Sequence, residues 1–180
     1  MKSNLKTRRY RNGDLIPSFP DAGAWSGLTT GAFVHYENDD KYDAAYGKLY
    51  NWYAAVDNRG ICPTGWHLPT LDEWSTLINY LGGEAVAGGK LKLPGTDYWL
   101  APNSGASNES GFSALPAGYR GKSSTGGAFD ALGRLASWWT ATETSASNAV
   151  TKIVGYDYES MGILESYGKE GGVSIRCVKD

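Results

Sequence analysis

At 180 residues, with 41% hydrophobic and 20% charged positions, the chain has the size of one domain and a globular composition, which excludes intrinsic disorder. Its 17 basic and 19 acidic side chains give a net charge of -2, so there is no basic surplus to neutralise phosphates and nucleic acid is not an expected partner. The longest apolar runs fall far short of the ~20 residues of a membrane span, and a soluble chain with no membrane insertion is expected. The 24 glycines imply many turns, while 7 Trp and 12 Tyr supply bulk for the core of a loop-rich fold and anchors for recognition.

Residues 1–20 read as a basic N-terminal arm, with Asn12-Gly13-Asp14 and Pro17 as turn signals, ahead of a single domain over 21–180. Trp25 to Leu28 is compatible with one helical turn. Glu37 to Asp43 is an acidic loop that lacks the spacing of a calcium loop and is expected to be solvated. Tyr46 to Val56 suits a strand leading into a turn, with a helix as the alternative. Thr70 and Glu73 form a T-x-x-E capping box, and Leu71, Trp74, Leu77, Ile78 and Leu81 recur at helical spacing until Gly82-Gly83, which predicts an amphipathic helix. Ala85 to Lys92 predicts a shorter helix interrupted at Gly88-Gly89, followed by a long structured loop from Pro94 to Ser113. Strands are predicted over Ser137–Thr142, Ala149–Tyr158 and Val173–Val178. Helices early and strands late make the fold class α+β with antiparallel sheet.

Cys62 and Cys177 are too far apart for C-x-x-C chemistry, which leaves either a long-range bridge or two separate buried thiols. No nucleophile elbow, dinucleotide fingerprint, P-loop or H-E-x-x-H is present, and His35 and His67 are too few for a histidine-rich metal site. His67, just before the helix cap, is expected to be a structural hydrogen-bonder. The expectation is therefore a non-enzyme with no cofactor and no metal.

The run CPTGWHLPTLDEW (62–74) resembles the first-helix region of C-type lectin-like proteins and of their formylglycine-generating branch. Together with GKLYNWYAAVDNRGICPTGWHLPT (47–70), GGKLK (88–92), NESGFSALPAGYRG (108–121) and SIRCVKD (174–180), the chain resembles the Fibrobacter succinogenes major paralogous domain family. The resemblance implies a C-type lectin-like fold, with two helices on small antiparallel sheets, long structured loops, chain ends meeting in a small sheet and a Cys62–Cys177 bridge. A bridge implies an oxidising compartment, hence an extracellular or cell-surface location. Met1 to Arg11 carries no apolar signal region, so either the targeting segment lies outside this chain or the compartment argument fails. The formylglycine-generating branch needs a cysteine pair near its C-terminal core, whereas here only Cys177 lies there, and the calcium-dependent sugar signature of true C-type lectins is missing.

Residues 127–178 also resemble the variable ends of proteins targeted by diversity-generating retroelements, although Val150 and Val173 depart from that pattern. In this resemblance a framework that includes Trp138-Trp139 and Gly172 through Val178 alternates with exposed ligand-contact positions. Those contacts would be Asp130, Arg134, Leu135, Ser137, Thr144, Ser147, Asp157, Tyr158, Leu164, Glu165 and Tyr167, with Ala131, Ala146, Thr151 and Ser166 among them. Arg and Tyr are favoured hot-spot types, and Ser and Thr give adaptable hydrogen bonds. The implied function is an adhesin-like module for a protein or glycan ligand. The alternatives are a non-binding part of a surface appendage and an enzyme of the formylglycine-generating type.

Overall fold

Frequent glycines and polar turns keep the regular elements short in the computed structural model, which describes residues 1–122 and 126–180. In chain order the elements are α1 (Ala22–Ser26), β1 (Phe33–Val34), α2 (Asp43–Tyr46), β2 (Leu49–Tyr50), α3 (Trp52–Ala55), β3 (Trp66–His67) and α4 (Leu71–Tyr80). They continue with α5 (Glu84–Leu91), β4 (Ala117–Arg120), β5 (Phe129–Leu132), β6 (Leu135–Glu143), β7 (Asn148–Gly155), β8 (Gly162–Gly168) and β9 (Val178–Lys179). The class is α+β. β6, β7 and β8 form a three-stranded antiparallel sheet in that order, and β1–β2, β3–β9 and β4–β5 pair as two-stranded ladders.

The adjacent Trp138 and Trp139 explain how the sheet is buried. Successive side chains of a strand point to opposite faces, and both indoles are 0% exposed. Trp138 enters a cluster with Trp74, Ile78 and Leu81 from α4 and its C-terminal end and Leu91 from α5, whereas Trp139 enters one with Tyr50, Val173, Ile175 and both cysteines. β6 is thus covered on both faces and shows no simple alternation of apolar and polar residues. Cys62 and Cys177 are disulfide-bonded, with Cα atoms 6.0 Å apart.

The first 20 residues contribute Leu5, Tyr10 and Ile16 to the Trp139 cluster. Leu5 N–H donates to the Ile175 carbonyl at 2.8 Å, which brings the two ends of the chain together. They do not pair as strands of one sheet, however: β9 takes β3 as its partner.

The structure corrects several sequence expectations. α5 runs without a break through Gly88 and Gly89, because each glycine faces another stretch of backbone. A Cβ on Gly88 would lie 2.3 Å from the Ser160 carbonyl oxygen, and one on Gly89 would lie 2.5 Å from that of Gly105. Residues 173–178 are not the third strand of the main sheet, where β8 takes that place. Val173 and Ser174 instead make isolated bridges to Tyr50 and Trp138, so the segment threads between elements. The stretch 46–56 contains both a short strand, β2, and a helical turn, α3.

In the acidic loop, Glu37 accepts from the Tyr42 hydroxyl at 2.9 Å, Asp39 pairs with Lys41 at 2.6 Å, and Asp43 pairs with Lys48 and with His35. Among the described residues, no group of three or more His, Cys, Asp or Glu is placed to hold a metal ion, and no helix is long and apolar enough to cross a membrane.

The capping box of α4 forms as expected, with Glu73 N–H donating to Thr70 Oγ1 at 3.2 Å and Thr70 N–H donating to Glu73 Oε2 at 2.9 Å. His67 connects it to the C-terminal end, with Nε2 at 2.7 Å from Glu73 Oε1 and Nδ1 at 2.6 Å from Asp180 Oδ1. Hydrogen bonds to Asp180 and then Glu73 raise the His67 pKa. A raised folded-state pKa stabilises the fold fully below the unfolded value of about 6.5, and this contribution is lost as pH rises through the higher folded value. An NMR titration of the His67 ring is expected to give a midpoint above 6.5, and His67→Gln is expected to flatten the stability profile across that window; a midpoint at or below 6.5 would show that the carboxylates do not hold the proton.

Candidate functional site

Alternation places Leu135 and Ser137 of β6 and Thr151 and Ile153 of β7 on one face of the sheet. The register extends this face to β8, pairing Ser137 with Ile153 and Thr151 with Leu164. Tyr167 of β8, Tyr119 of β4 and Val173 close the sides of a cavity of about 180 Å³ over this face. Its lining is largely apolar, but Ser137 and Thr151 are only 4% and 1% exposed, and neither side-chain oxygen has a hydrogen-bond partner among the described residues. A buried hydroxyl without a partner costs about 1–3 kcal/mol, so two in one cavity mark a place where polar atoms of a ligand would be rewarded.

Tyr167 is the most firmly held wall. Its ring centre is 5.7 Å from that of Trp139, and its hydroxyl donates to the Arg120 carbonyl at 3.3 Å. Burial raises its pKa, which keeps the hydroxyl neutral and able to donate. The Tyr119 ring meets it edge-on at 6.3 Å and leads toward a charged pair at the rim. There Arg134 Nη2 donates to Asp130 Oδ1 at 2.6 Å, and the Tyr119 hydroxyl lies 3.4 Å from Asp130 Oδ2. Arg134 and Asp130 are both about half exposed, so their mutual attraction is screened and either is available to a ligand.

The sequence-derived positions therefore divide by place. Leu135, Ser137, Leu164 and Tyr167, with Thr151, line the cavity, and Asp130 and Arg134 lie beyond Tyr119 at its rim. Tyr158, in the turn after β7, lays its ring over Gly155, where a Cβ would sit 2.3 Å from it. Gly155 shares a face with Ile153, so Tyr158 borders the same surface, and desolvation raises its pKa. Its carbonyl accepts from the buried Lys92 Nζ at 2.9 Å, which anchors the turn, and the neighbouring Asp157 is exposed. Thr144 and Ser147 lie at the β6–β7 hairpin end of the sheet, and Glu165 is an exposed residue between the cavity residues Leu164 and Tyr167 of β8. Thr144 Oγ1 donates to the Glu165 carbonyl at 2.8 Å and Ser147 Oγ accepts from Asn148 Nδ2 at 3.2 Å.

Three cavity residues escaped the sequence reading. Ile153 follows Thr151 by two positions, so strand alternation alone could have found it. Tyr119 and Val173 come from separate stretches of chain and carry no local signal.

The sequence model of the Fibrobacter succinogenes major domain matches residues 1–179. The chain belongs to this family. Neither the curated proteins nor the solved structures yield a match. Because the family match spans β3 through β9 and both cysteines, the cavity and the disulfide are parts of the family domain itself.

Proposed function

We infer that this family member is an extracellular or cell-surface binding module whose ligand anchors one group in the cavity over β6, β7 and β8. The observation that carries the reading is the pair of unpartnered buried hydroxyls, Ser137 Oγ and Thr151 Oγ1, in an otherwise apolar cavity. Sites that enclose a whole small ligand usually measure about 300–1,000 Å³. At about 180 Å³ this one suits a single side chain or sugar-sized group, with the rest of a protein or glycan lying across the sheet face and the Arg134–Asp130 rim.

The extracellular reading is supported by the disulfide, which persists in oxidising compartments. A C-type lectin-like fold is the reading of the architecture that fits this bridge and the meeting of the chain ends. The likeness to retroelement-diversified proteins fits as well, since Leu135, Ser137, Thr151, Leu164 and Tyr167 come from three strands and converge on one cavity. Binding without covalent chemistry is supported by Cys62 and Cys177 being tied to each other, which removes the thiol pair that the formylglycine-generating branch uses.

The test is a screen on a glycan array and a displayed-peptide library, followed by Leu164→Ala, Ser137→Val and Arg134→Ala. Leu164 is 40% exposed and the Arg134 side chain 51%, so these two changes are expected to leave stability within about 0.5 kcal/mol. Leu164→Ala is expected to weaken binding by about tenfold or more, the effect of losing one hot-spot contact. Ligands whose affinity is indifferent to both Leu164→Ala and Ser137→Val would overturn the assignment of this cavity.

A further inference from the structure

A second cavity, of about 360 Å³, lies between α4 and the C-terminal segment and shares no lining residue with the first. Pro69, Trp74, Leu77, Phe112, Arg176 and Val178 contribute to its walls. It adjoins a surface groove along α4, since Glu73, Leu77 and Val178 line both and Tyr80, 86% exposed, lines the groove.

One polar group in this apolar wall lacks a partner, and a second has donors left over. Trp74 is 3% exposed, and its Nε1–H has no acceptor among the described residues. Arg176 is 4% exposed; its Nε and Nη2 donate to Asn4 Oδ1 at 3.2 and 3.0 Å, and its Nη1 donates to the Phe112 carbonyl. A guanidinium has about five N–H groups, so these bonds leave donors over. Among the described residues no carboxylate faces this cation, and burial alone pulls its pKa down. Of the charged groups at the cavity, Glu73 is already engaged by His67 and Thr70, while Lys179 and the Met1 ammonium, which donates to the Cys177 carbonyl at 3.2 Å, add positive charge.

We propose that this cavity binds an aliphatic carboxylate, its head accepting from Arg176 and Trp74 Nε1 and its tail lying past Leu77 toward Tyr80. A charge-assisted bond to a buried guanidinium is the contact such an anion would complete. The apolar lining has few partners for peptide amides, whose burial without hydrogen bonds is costly, so an aliphatic tail is favoured over a peptide end.

The test titrates the intact protein with decanoate below its micelle concentration, followed by calorimetry and by the indole N–H resonances of 15N-labelled protein. Saturable binding that moves the Trp74 indole resonance is expected. Decanol should bind at least about tenfold more weakly, as expected for loss of a hydrogen bond to a charged group, and decyltrimethylammonium should not bind. Leu77→Trp, which fills the cavity without touching the buried cation, should abolish binding, and Arg176→Lys should weaken it if that variant folds. Equal affinity for decanol and decanoate, an unmoved Trp74 resonance, unchanged binding by Leu77→Trp, or tighter binding of a peptide ending in Leu-Phe as its free acid would each overturn the proposal. Because the two cavities share no lining residue, Leu164→Ala should leave decanoate binding unchanged, which separates this test from that of the sheet-face ligand.

Discussion

Removing the Cys62–Cys177 bridge by the double substitution Cys62→Ala/Cys177→Ala is expected to lower the unfolding free energy by roughly 4–5 kcal/mol. The bridge spans 115 positions, so in the reduced chain a loop containing most of the sequence regains its conformational freedom. The chain-entropy model gives this magnitude for a loop of that length. Both half-cystines are also buried, at 5% and 2% exposure, in the cluster that holds Trp139, so the substitution leaves a small packing defect there as well. For a domain of this size the melting midpoint should fall by roughly 8–20 °C. Denaturant unfolding of the double variant and the wild type measures the difference, and intact mass after alkylation, with and without prior reduction, confirms the redox state compared. A loss below about 1 kcal/mol would show that the denatured chain is already restricted without the bridge.

Trp138→Ala is the second large effect, with an expected loss of about 3–5 kcal/mol. The indole is fully buried at the meeting of β6, α4 and the loop before β4, with ring centres 5.7 Å from Trp74 and 5.3 Å from Phe112. Its Nε1 donates to Asn4 Oδ1 at 3.0 Å, the same oxygen that receives Nε and Nη2 of Arg176. The Arg176 guanidinium carbon lies 5.8 Å from the Trp138 ring centre and 4.0 Å from that of Phe112, so removing the indole also strips a π face from a buried cation. Trp138→Phe keeps much of the apolar volume and loses the hydrogen bond, so it should cost less than the alanine variant. Chemical denaturation of the two variants separates these contributions. Equal losses would place most of the effect in the hydrogen bond to Asn4 rather than in packing.

Around α4 much of the fold was legible in the sequence, because the signals there are local. A capping box needs residues three positions apart, and the apolar positions of α4 repeat within its own length. β8 was not legible: it is an edge strand whose middle residues, Leu164 to Ser166, are exposed, so it lacks the apolar run of a buried strand. Val173 to Val178 misled for the opposite reason. Its apolar residues are buried by neighbours from several elements while its backbone makes only isolated bridges before β9. At the site, the resemblance marked Leu135, Ser137, Thr151, Leu164 and Tyr167, and the structure brings these five to one cavity. The structure spreads the other positions to the rim, the Tyr158 turn, the β6–β7 hairpin end and the exposed side of β8 at Glu165, because contact-position likeness carries no register.

The sequence by itself determined the family, the α+β class, the position of the capped helix and the residue types available for recognition. Each of these depends on spacing along the chain or on whole-segment likeness. Only the tertiary structure decided that α5 continues through Gly88-Gly89, since the reason lies in the backbones of Ser160 and Gly105. The same holds for the cavity that joins Tyr119 and Val173 to the main sheet. It holds most of all for Asn4, Trp138 and Arg176, which lie up to 172 positions apart and share one oxygen. Contacts of that range follow from how the buried faces pack together, and no local pattern in the chain encodes them.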